Sequence, residues 1–228
     1  MQTRLSILSN VDLIRRVPLF SRLSDVQVQS VADRVVKRHF GRGEIVVEQG
    51  RKSNALYILL SGRACVLKSD SRGREVVLAV LQPGDYAGEM SLIDEEPHSA
   101  TVRTEVQADV LILGRAEFAH CLQQNFHLPY AIMLGLVQRL RSANRQIESL
   151  ALLDVPGRVA RTLIDMAEIE GDHRLIHHRI SRQDLAKVVG ASREMVSRAI
   201  RDFEKRGMIQ TQKNGSIVIK EQLADQLQ

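Results

Sequence analysis

The spacing of hydrophobic residues changes twice along the chain. At the N-terminus, over the first ~40 residues, apolar positions such as Leu13, Ile14 and Val17 recur at the spacing of a helix. From Gly41 onward, short runs rich in Val, Ile and Leu alternate with glycine, proline and serine turns. Short strands separated by a turn every ~8–12 residues predict an antiparallel sandwich or barrel. The predicted strands cover residues 44–48, 55–60, 63–68, 75–81, 99–105 and 108–113.

A narrow apolar stripe then predicts a long helix. Its members follow one another at alternating spacings of three and four residues, which is the a/d pattern of a coiled-coil seam. A helix packed on its own domain would also have an apolar face, but a stripe this narrow favours a homodimer interface. The predicted dimer residues are Met133, Leu136, Leu140, Ala143, Ile147 and Leu150.

A break in the helical pattern follows the stripe. Asp154 precedes Val155-Pro156, and an N-cap residue followed by proline in the first turn is typical of a new helix. We therefore expect a hinge at residues 152–155. The expected organisation is an N-terminal domain over residues 1–128, a dimerisation helix with its hinge over 129–153, and a C-terminal domain over 154–228.

Two short helices joined by a tight turn are predicted near the C-terminus. Ser181 and Ser192 are the expected N-caps, and Gly190 lies in the turn between the helices. The pair Asn214-Gly215 then predicts a hairpin between residues 208–210 and 216–219. Together these signals predict a winged helix-turn-helix.

The second of these helices carries side chains suited to reading DNA. The first turns of such a helix enter the major groove, where arginine pairs with guanine and glutamate accepts from cytosine. A surface ion pair between Glu194 and Arg198 is the alternative explanation of this pattern. Arg182, Gln183 and Lys213 are candidates for phosphate contacts. The full set of predicted DNA contacts is Arg182, Gln183, Ser192, Arg193, Glu194, Ser197, Arg198 and Lys213.

Charge supports a polyanionic partner. The net charge of the 228-residue chain is +5, and residues 174–213 hold ten basic residues against four acidic ones. Such a local excess attracts polyanions. The chain has only Cys65 and Cys121, which excludes a disulfide framework and a four-thiolate metal cluster and suits a reducing cytoplasm. We expect no membrane partner, because no apolar run approaches the ~18–20 residues of a spanning helix and no secretory signal precedes the first helix.

Catalytic and metal-binding patterns are missing from the sequence. We find no HExxH, P-loop or GxSxG motif, so an enzyme is the least favoured class. The seven histidines show no metal-ligand spacing. His177 and His178 would point to opposite faces of a strand, and no metal is therefore expected.

A short segment between the last predicted strands carries candidate ligand chemistry. It reads Gly88-Glu89-Met90-Ser91-Leu92, followed by Pro97-His98-Ser99-Ala100. A glycine followed by a carboxylate on a helical turn offers backbone N–H groups to a phosphate and an acceptor to a ribose hydroxyl. By itself this pair is a weak signal.

With these motifs in order, the chain resembles the CRP/FNR family of bacterial transcription regulators along essentially its whole length. The segment at residues 88–100 resembles the family's phosphate-binding cassette, residues 152–158 its hinge, and Ser192-Arg193-Glu194 with Arg198 its recognition helix. The resemblance implies an α+β fold: an N-terminal β jelly roll of the cyclic-nucleotide-binding type, a long dimerisation helix and a C-terminal winged helix-turn-helix. The first 128 residues would then be the sensor domain.

The resemblance also implies a ligand site. In such proteins the cassette glutamate, here Glu89, binds the ribose 2′-OH, while an arginine and the next serine hold the cyclic phosphate. Two residues of the dimer helix, here Ala143 and Asn144, would meet the base. The implied ligand residues are Gly88, Glu89, Met90, Ser91, His98, Ser99, Ala143 and Asn144.

This sequence departs from the family pattern where the phosphate and base would lie. His98 replaces the arginine, and losing a charge-assisted contact weakens binding by about 1.5–3 kcal/mol. Ala143 offers the base no side-chain hydrogen bond. Cyclic AMP and cyclic di-GMP therefore both stay open, since Arg141, Asn144 and Arg145 carry donors for a larger guanine ligand. Iron–sulfur sensing is excluded by the thiol count, and no motif supports haem.

The expected function is a cytoplasmic, homodimeric, sequence-specific regulator of transcription controlled by a cyclic nucleotide. It would bind double-stranded DNA at a palindrome with half-sites ~34–36 Å apart and act with RNA polymerase. Glu194, Ser197 and Arg198 also fit a TTGAT half-site, but Arg193 favours one of the TGTGA type. One alternative is a regulator whose barrel is a scaffold without ligand. Another is a nucleotide-binding regulatory subunit that acts on a protein partner.

Overall fold

A computed structural model describes residues 9–124, 126–170, 173–177, 180–212 and 214–227. The chain forms two compact units, Met1–Arg139 and Leu140–Gln228, and the division falls within one continuous helix. No helix in the described ranges is long and apolar enough to cross a membrane.

The first unit opens with two short capped helices, α1 (Asn10–Arg15) and α2 (Asp25–Ala32), separated by a single 3₁₀ turn at Pro18–Phe20. Ser9 and Ser24 each form a capping box, in which the serine side chain and the third helical residue bond to each other's backbone N–H. The helices bury Leu13, Ile14 and Phe20 in the larger core of the unit.

In the described part of this unit, eight antiparallel strands form its body. They are β1 (Val35–Phe40), β2 (Ile45–Val47), β3 (Ala55–Ser61), β4 (Ala64–Ser69), β5 (Glu75–Leu81), β6 (Tyr86–Ala87), β7 (Thr101–Thr104) and β8 (Ala108–Gly114). One sheet has the order β1-β8-β3-β6 and the other β2-β7-β4-β5. Inward side chains from both sheets form a second core cluster that includes Phe40, Leu59, Val102 and Val110.

The predicted end of the N-terminal helical region is wrong. Residues 35–40 were expected to continue the helices, whereas they form β1, which pairs with β8 from Val35 opposite Leu113 to Phe40 opposite Ala108. The strand is decided by this partner about seventy residues away, which the local spacing does not reveal. The short strand β6 was likewise not predicted.

Three helices follow the strands or interrupt them. They are α3 (Glu89–Asp94), α4 (Arg115–Gln124) and α5 (His127–Leu152). The first two turns of α5 bury Leu128 and Ile132 against the first unit. The predicted strand at 99–105 begins two residues later, so Ser99 and Ala100 belong to the loop that follows α3.

The second unit is built on α6 (Val155–Met166), α7 (Arg182–Val189) and α8 (Arg193–Lys205). Its small sheet consists of β9 (Glu168–Glu170), β10 (His173–Ile176), β11 (Ile209–Thr211) and β12 (Ile217–Ile219), in the order β11-β12-β10-β9. A 3₁₀ segment, Glu221–Leu227, follows. The three helices bury Leu163, Leu185, Ile200 and Phe203 in one core.

The predicted helix starts in this unit are confirmed. The Asp154 carboxylate accepts a hydrogen bond from Gly157 N at 2.8 Å, and Ser181 and Ser192 cap α7 and α8. Gly190 ends α7 in the left-handed conformation that the tight turn requires (φ 68°). The winged helix-turn-helix expected from the sequence is therefore present.

The expectation that the adjacent histidines lie within a strand is wrong for His177. Strand β10 ends at Ile176, so His177 lies beyond the strand, and its Nε2 is 3.2 Å from Glu170 and 3.5 Å from Glu168 on β9. His178 lies outside the described residues. Strands β9 and β10 were not predicted, because three or four residues are too few for an alternating pattern to stand out.

Truncation of Leu163 tests the core of the second unit. Leu163 is fully buried among α6, α7 and α8, so Leu163→Ala should destabilise the protein by about 2–5 kcal/mol through lost burial and the cavity left behind. Thermal unfolding followed by circular dichroism measures the loss. The control is Ile169→Ala, because the Ile169 side chain is 76% exposed and its truncation should leave the transition nearly unchanged. Equal effects of the two variants would contradict this core assignment.

Candidate ligand pocket and nucleic-acid interface

Gly88 sets the backbone at the start of the candidate pocket. Its φ is +91°, and a Cβ built there would approach the carbonyl oxygen of Ala55 to 2.6 Å. Only glycine combines this conformation with so close an approach to a neighbouring strand. The turn delivers the next residue, Glu89, as the first residue of α3.

Glu89 is a buried carboxylate with one free oxygen. The residue is 1% exposed, its Oε1 accepts a hydrogen bond from Arg139 Nη1 at 2.5 Å, and its Oε2 has no hydrogen-bond partner. Burial raises the pKa of Glu89, while the charge of Arg139 acts in the opposite direction. A buried polar atom without a partner is costly, and this makes Oε2 a candidate acceptor for a donor on a ligand.

Arg139 connects this carboxylate to α5. Its Nη2 donates to the backbone oxygen of Tyr86, and its guanidinium lies 4.9 Å from the centre of the Tyr86 ring. Gly135, one turn earlier on α5, leaves room for the Tyr86 hydroxyl, because a Cβ there would collide with it. The role of Arg139 was not predicted from the sequence. It occupies a polar position beside the apolar stripe, and its partner Glu89 lies fifty residues away.

His98 lies buried in the loop after α3. It is 7% exposed, and its Nε2 is 2.7 Å from the Ser53 hydroxyl. Its backbone N donates to the Arg51 oxygen, and its backbone oxygen accepts from Gly50 N, both at 2.9 Å. Burial lowers the pKa of His98, so the neutral ring predominates at pH 7.

The other predicted pocket residues divide by exposure. Ser99 is exposed, so its hydroxyl is open to a ligand, and Met90 is 49% exposed. Ser91 is buried, and its hydroxyl donates to the Glu96 oxygen at 2.6 Å, which gives it a structural role in the turn that closes α3. Ala143 and Asn144 are exposed on α5.

Arg115 braces the end of α3 and was not found from the sequence. Its guanidinium donates to Glu95 at 2.9 Å, to the Ser91 oxygen at 3.1 Å and to Asn54 at 3.3 Å. Glu95 ends α3 with a φ of +61°, which is unfavourable for a residue with a side chain. The ion pair with Arg115 favours this conformation and thereby shapes the loop that carries His98.

The predicted dimer stripe is largely exposed on α5. The side chains of Met133, Leu140, Ile147 and Leu150 are 55–64% exposed, Ala143 is exposed, and Leu136 is half-buried. Exposed apolar residues in a continuous row are a common feature of protein interfaces.

Helix α8, the predicted recognition helix, has its predicted base contacts at the protein surface. Arg193, Glu194 and Arg198 are exposed, and within the described residues no ion pair joins Glu194 to Arg198. Ser197 donates to the Arg193 backbone oxygen at 2.8 Å, and Ser192 accepts from Met195 N as the helix cap. The surface ion pair that was the alternative explanation is therefore not formed.

A cleft of about 640 Å³ brings the start of α7 close to the tip of α8 and to the wing. Arg182 and Gln183 line it together with Arg193, which places phosphate and base candidates on one surface. Arg182 Nη2 is 4.0 Å from Glu204, whose Oε1 accepts from the Thr211 hydroxyl on β11. Lys213, the third phosphate candidate, lies outside the described residues.

Arg158 ties the predicted hinge to the helix-turn-helix. Its Nη1 donates to the Leu153 oxygen at 2.9 Å, and its Nε donates to the Val189 oxygen at 3.1 Å. One guanidinium thus satisfies carbonyl groups at the C-terminal ends of α5 and α7. The sequence signalled this residue only as part of the segment 152–158.

Comparisons with known proteins agree with this architecture. A model of the cyclic nucleotide-binding domain matches residues 37–125, and one of the Crp-like helix-turn-helix domain matches residues 157–225. The cAMP-activated global transcriptional regulator Vfr of Pseudomonas aeruginosa is 32% identical over 182 residues, covering 76% of this chain and 84% of Vfr. The chain belongs to the CRP/FNR family.

Further relatives support this assignment. The cAMP-activated global transcriptional regulator CRP of Escherichia coli is also 32% identical, covering 72% of this chain and 80% of that protein. The solved structure of the c-di-GMP responsive global regulator CLP of Xanthomonas campestris is 26% identical, with a TM-score of 0.73, covering 86% of this chain and 99% of CLP. This CRP/FNR protein is a DNA-binding transcription regulator and not an enzyme, which confirms the function class and the α+β fold expected from the sequence.

Removal of Arg139 tests the buried ion pair. In Arg139→Ala the pKa of Glu89 should rise further, because the cation that opposes the effect of burial is gone. A carboxyl whose pKa is raised by folding stabilises the folded state at low pH, and this stability is lost as pH rises through the folded pKa. The variant should therefore lose about 1–2 kcal/mol relative to the parent at pH 8 and less at pH 5.

Urea unfolding at the two pH values measures the difference. Arg141→Ala is the matched control, because Arg141 is an exposed arginine on the same helix. A deficit that is the same at pH 5 and pH 8 would show that the loss does not involve ionised Glu89.

Proposed function

We propose that this regulator responds to a cyclic nucleotide bound at residues 88–99. The observation that carries the proposal is the free Oε2 of Glu89, a buried acceptor held in place by Arg139 through the other carboxylate oxygen. A ribose hydroxyl would satisfy it, since a hydroxyl can donate to a carboxylate. Ser99, exposed beside the buried His98, supplies a donor for the phosphate.

Cyclic AMP is the first candidate effector, because Vfr and the E. coli relative are described as cAMP-activated. Cyclic di-GMP is the second, because CLP is described as c-di-GMP responsive and because Arg141, Asn144 and Arg145 are exposed on α5. A guanine dinucleotide carries two phosphates and would use these additional donors. No metal enters the proposal.

The active species in this proposal is a homodimer joined along α5. A second copy would cover the row of Met133, Leu136, Leu140, Ala143, Ile147 and Leu150, whose apolar side chains otherwise face water. The two recognition helices would then read a palindrome of TGTGA-type half-sites ~34–36 Å apart, with Arg193, Glu194, Ser197 and Arg198 at the bases. Arg182, Gln183, Ser192 and Lys213 would contact the backbone or support those contacts.

These proposed roles divide the chain into three functional segments. Residues 1–128 would sense the effector, 129–153 would form the dimer helix and hinge, and 154–228 would bind DNA. An effector changes DNA affinity only if it binds the two arrangements of the dimer with different affinity. Arg158 and Asp154, which bind the backbone on both sides of the hinge, would transmit that preference. We propose a cytoplasmic protein that acts with RNA polymerase on the bound promoter.

Fluorescence anisotropy of a labelled TGTGA palindrome tests the effector. The full chain is titrated at one fixed salt concentration, without ligand and with cyclic AMP, cyclic GMP or cyclic di-GMP, because affinity for DNA depends on salt. We expect cyclic AMP or cyclic di-GMP to change the affinity of the parent and to have no effect on Glu89→Ala. Tight binding that none of the nucleotides changes would favour the ligand-free scaffold. The absence of any sequence preference would favour a regulatory subunit that acts on a protein partner.

Substitution of Arg193 tests direct reading of the bases. Arg193→Ala should weaken binding to the palindrome by about 1–3 kcal/mol, roughly five- to 150-fold, and should affect a scrambled duplex much less. Lys205→Ala, at the opposite end of α8, is the control for a lost positive charge and should change the specific affinity little. If Arg193→Ala weakens both duplexes equally, Arg193 contacts phosphates and does not read bases.

A further inference from the structure

His98 combines three features that are unusual for a loop residue beside a ligand pocket. It is only 7% exposed, its backbone is fixed by hydrogen bonds to Gly50 and Arg51, and in the described part of the chain only the Ser53 hydroxyl bonds to its ring. The backbone contacts hold the loop in place, and the Ser53 hydroxyl orients the buried ring. Any ligand phosphate held by Ser99 would meet an imidazole fixed one residue away.

The charges around His98 are largely neutralised by one another. The β2–β3 loop packed against it carries the ion pair Glu48–Arg51 at 2.9 Å, and Glu95 on its own loop pairs with Arg115 at 2.9 Å. Glu89 on α3 pairs with Arg139. The remaining charged side chains of these elements are exposed, namely Lys52, Asp94 and Glu96.

In the absence of ligand, burial therefore determines the protonation state of His98. Desolvation is the cause that lowers the pKa of His98, since no neighbouring charge compensates for it. The neutral ring also suits the single contact with Ser53, whose hydroxyl can donate to Nε2 or accept from it. At neutral pH the unliganded pocket thus has a neutral base where a phosphate would lie.

We propose that His98 takes up one proton from solvent when the phosphodiester of the effector binds, so that effector affinity decreases as the pH rises. The inference rests on the proposed function, because it assumes a cyclic nucleotide in this pocket. Protonation places an N–H on each ring nitrogen, of which Nε2 can donate to Ser53 and the other can donate to a phosphate oxygen. The new N–H bond on the imidazole is the only covalent change. The hydrogen bond between the protonated ring and the phosphate oxygen is charge-assisted.

The sign of the pH dependence follows from linkage. The phosphodiester is negatively charged, so it raises the pKa of His98 in the complex above that in the free protein. Between the two pKa values the affinity should fall by up to about tenfold for each unit of rising pH, and outside that range it should be flat. When the cytoplasm becomes more acidic, the protein would accordingly bind its effector at a lower effector concentration.

Isothermal titration calorimetry of the full chain with cyclic AMP measures the proton directly. Titrations at pH 7 in two buffers of different ionisation enthalpy should show an uptake approaching about one proton per nucleotide. His98→Arg should bind cyclic AMP more tightly and without uptake, because arginine is always charged. His98→Gln should bind more weakly and with an affinity independent of pH. His39→Gln is the matched control. His39 is an exposed histidine on strand β1, and its ring pairs with Asp109 on the neighbouring strand β8.

Three results would overturn the inference. Cyclic AMP binding without proton uptake would leave the proposed function intact and remove the role of His98. Uptake that persists in His98→Gln and His98→Arg would assign the proton to another group, of which Glu89 is the first candidate. If neither cyclic AMP nor cyclic di-GMP binds to the parent or to His98→Arg, the proposed function itself fails and the inference with it.

Discussion

The ion pair between Glu89 and Arg139 is the interaction on which the candidate sensor depends. A carboxylate that is almost fully buried is stable in its charged form only beside a cation, and Arg139 supplies that charge from α5. The same guanidinium binds the Tyr86 backbone and ring, so one side chain joins the edge strand β6, the start of α3 and the long helix. The pair engages only one oxygen of Glu89, so the other is a buried acceptor without a partner at the start of α3.

Loop geometry around α3 is held by a second set of polar contacts. Arg115 binds Glu95, Asn54 and the Ser91 carbonyl, while the backbone of His98 is fastened to the β2–β3 loop. These contacts fix Glu95 in a left-handed conformation and keep the imidazole buried. The resemblance implies an arginine where His98 stands, and in this chain the three nearby arginines, Arg51, Arg115 and Arg139, are each engaged with a carboxylate. Under the proposed function, the protonation of this histidine would therefore influence ligand binding.

The DNA-binding unit is constructed differently, from local signals. Serine and aspartate caps begin each helix, a left-handed glycine ends α7, and an apolar core of Leu163, Leu185 and Phe203 holds the helices at a defined spacing. Arg158 then attaches the hinge to this unit through two backbone carbonyls.

The sequence alone determined the features that arise within a few residues. The caps Asp154, Ser181 and Ser192, the turn at Gly190, the apolar stripe on α5 and the order of the parts were all visible, because helix ends and helical faces depend on neighbours at short spacing. Only the tertiary structure decided β1, whose partner is β8, and the roles of Arg139 and Arg115, whose partners lie twenty to sixty residues away. It also decided that His98 is buried and Ser91 committed to the backbone. Burial and long-range pairing come from packing of the whole chain, and no local pattern of hydrophobic and polar residues carries that information.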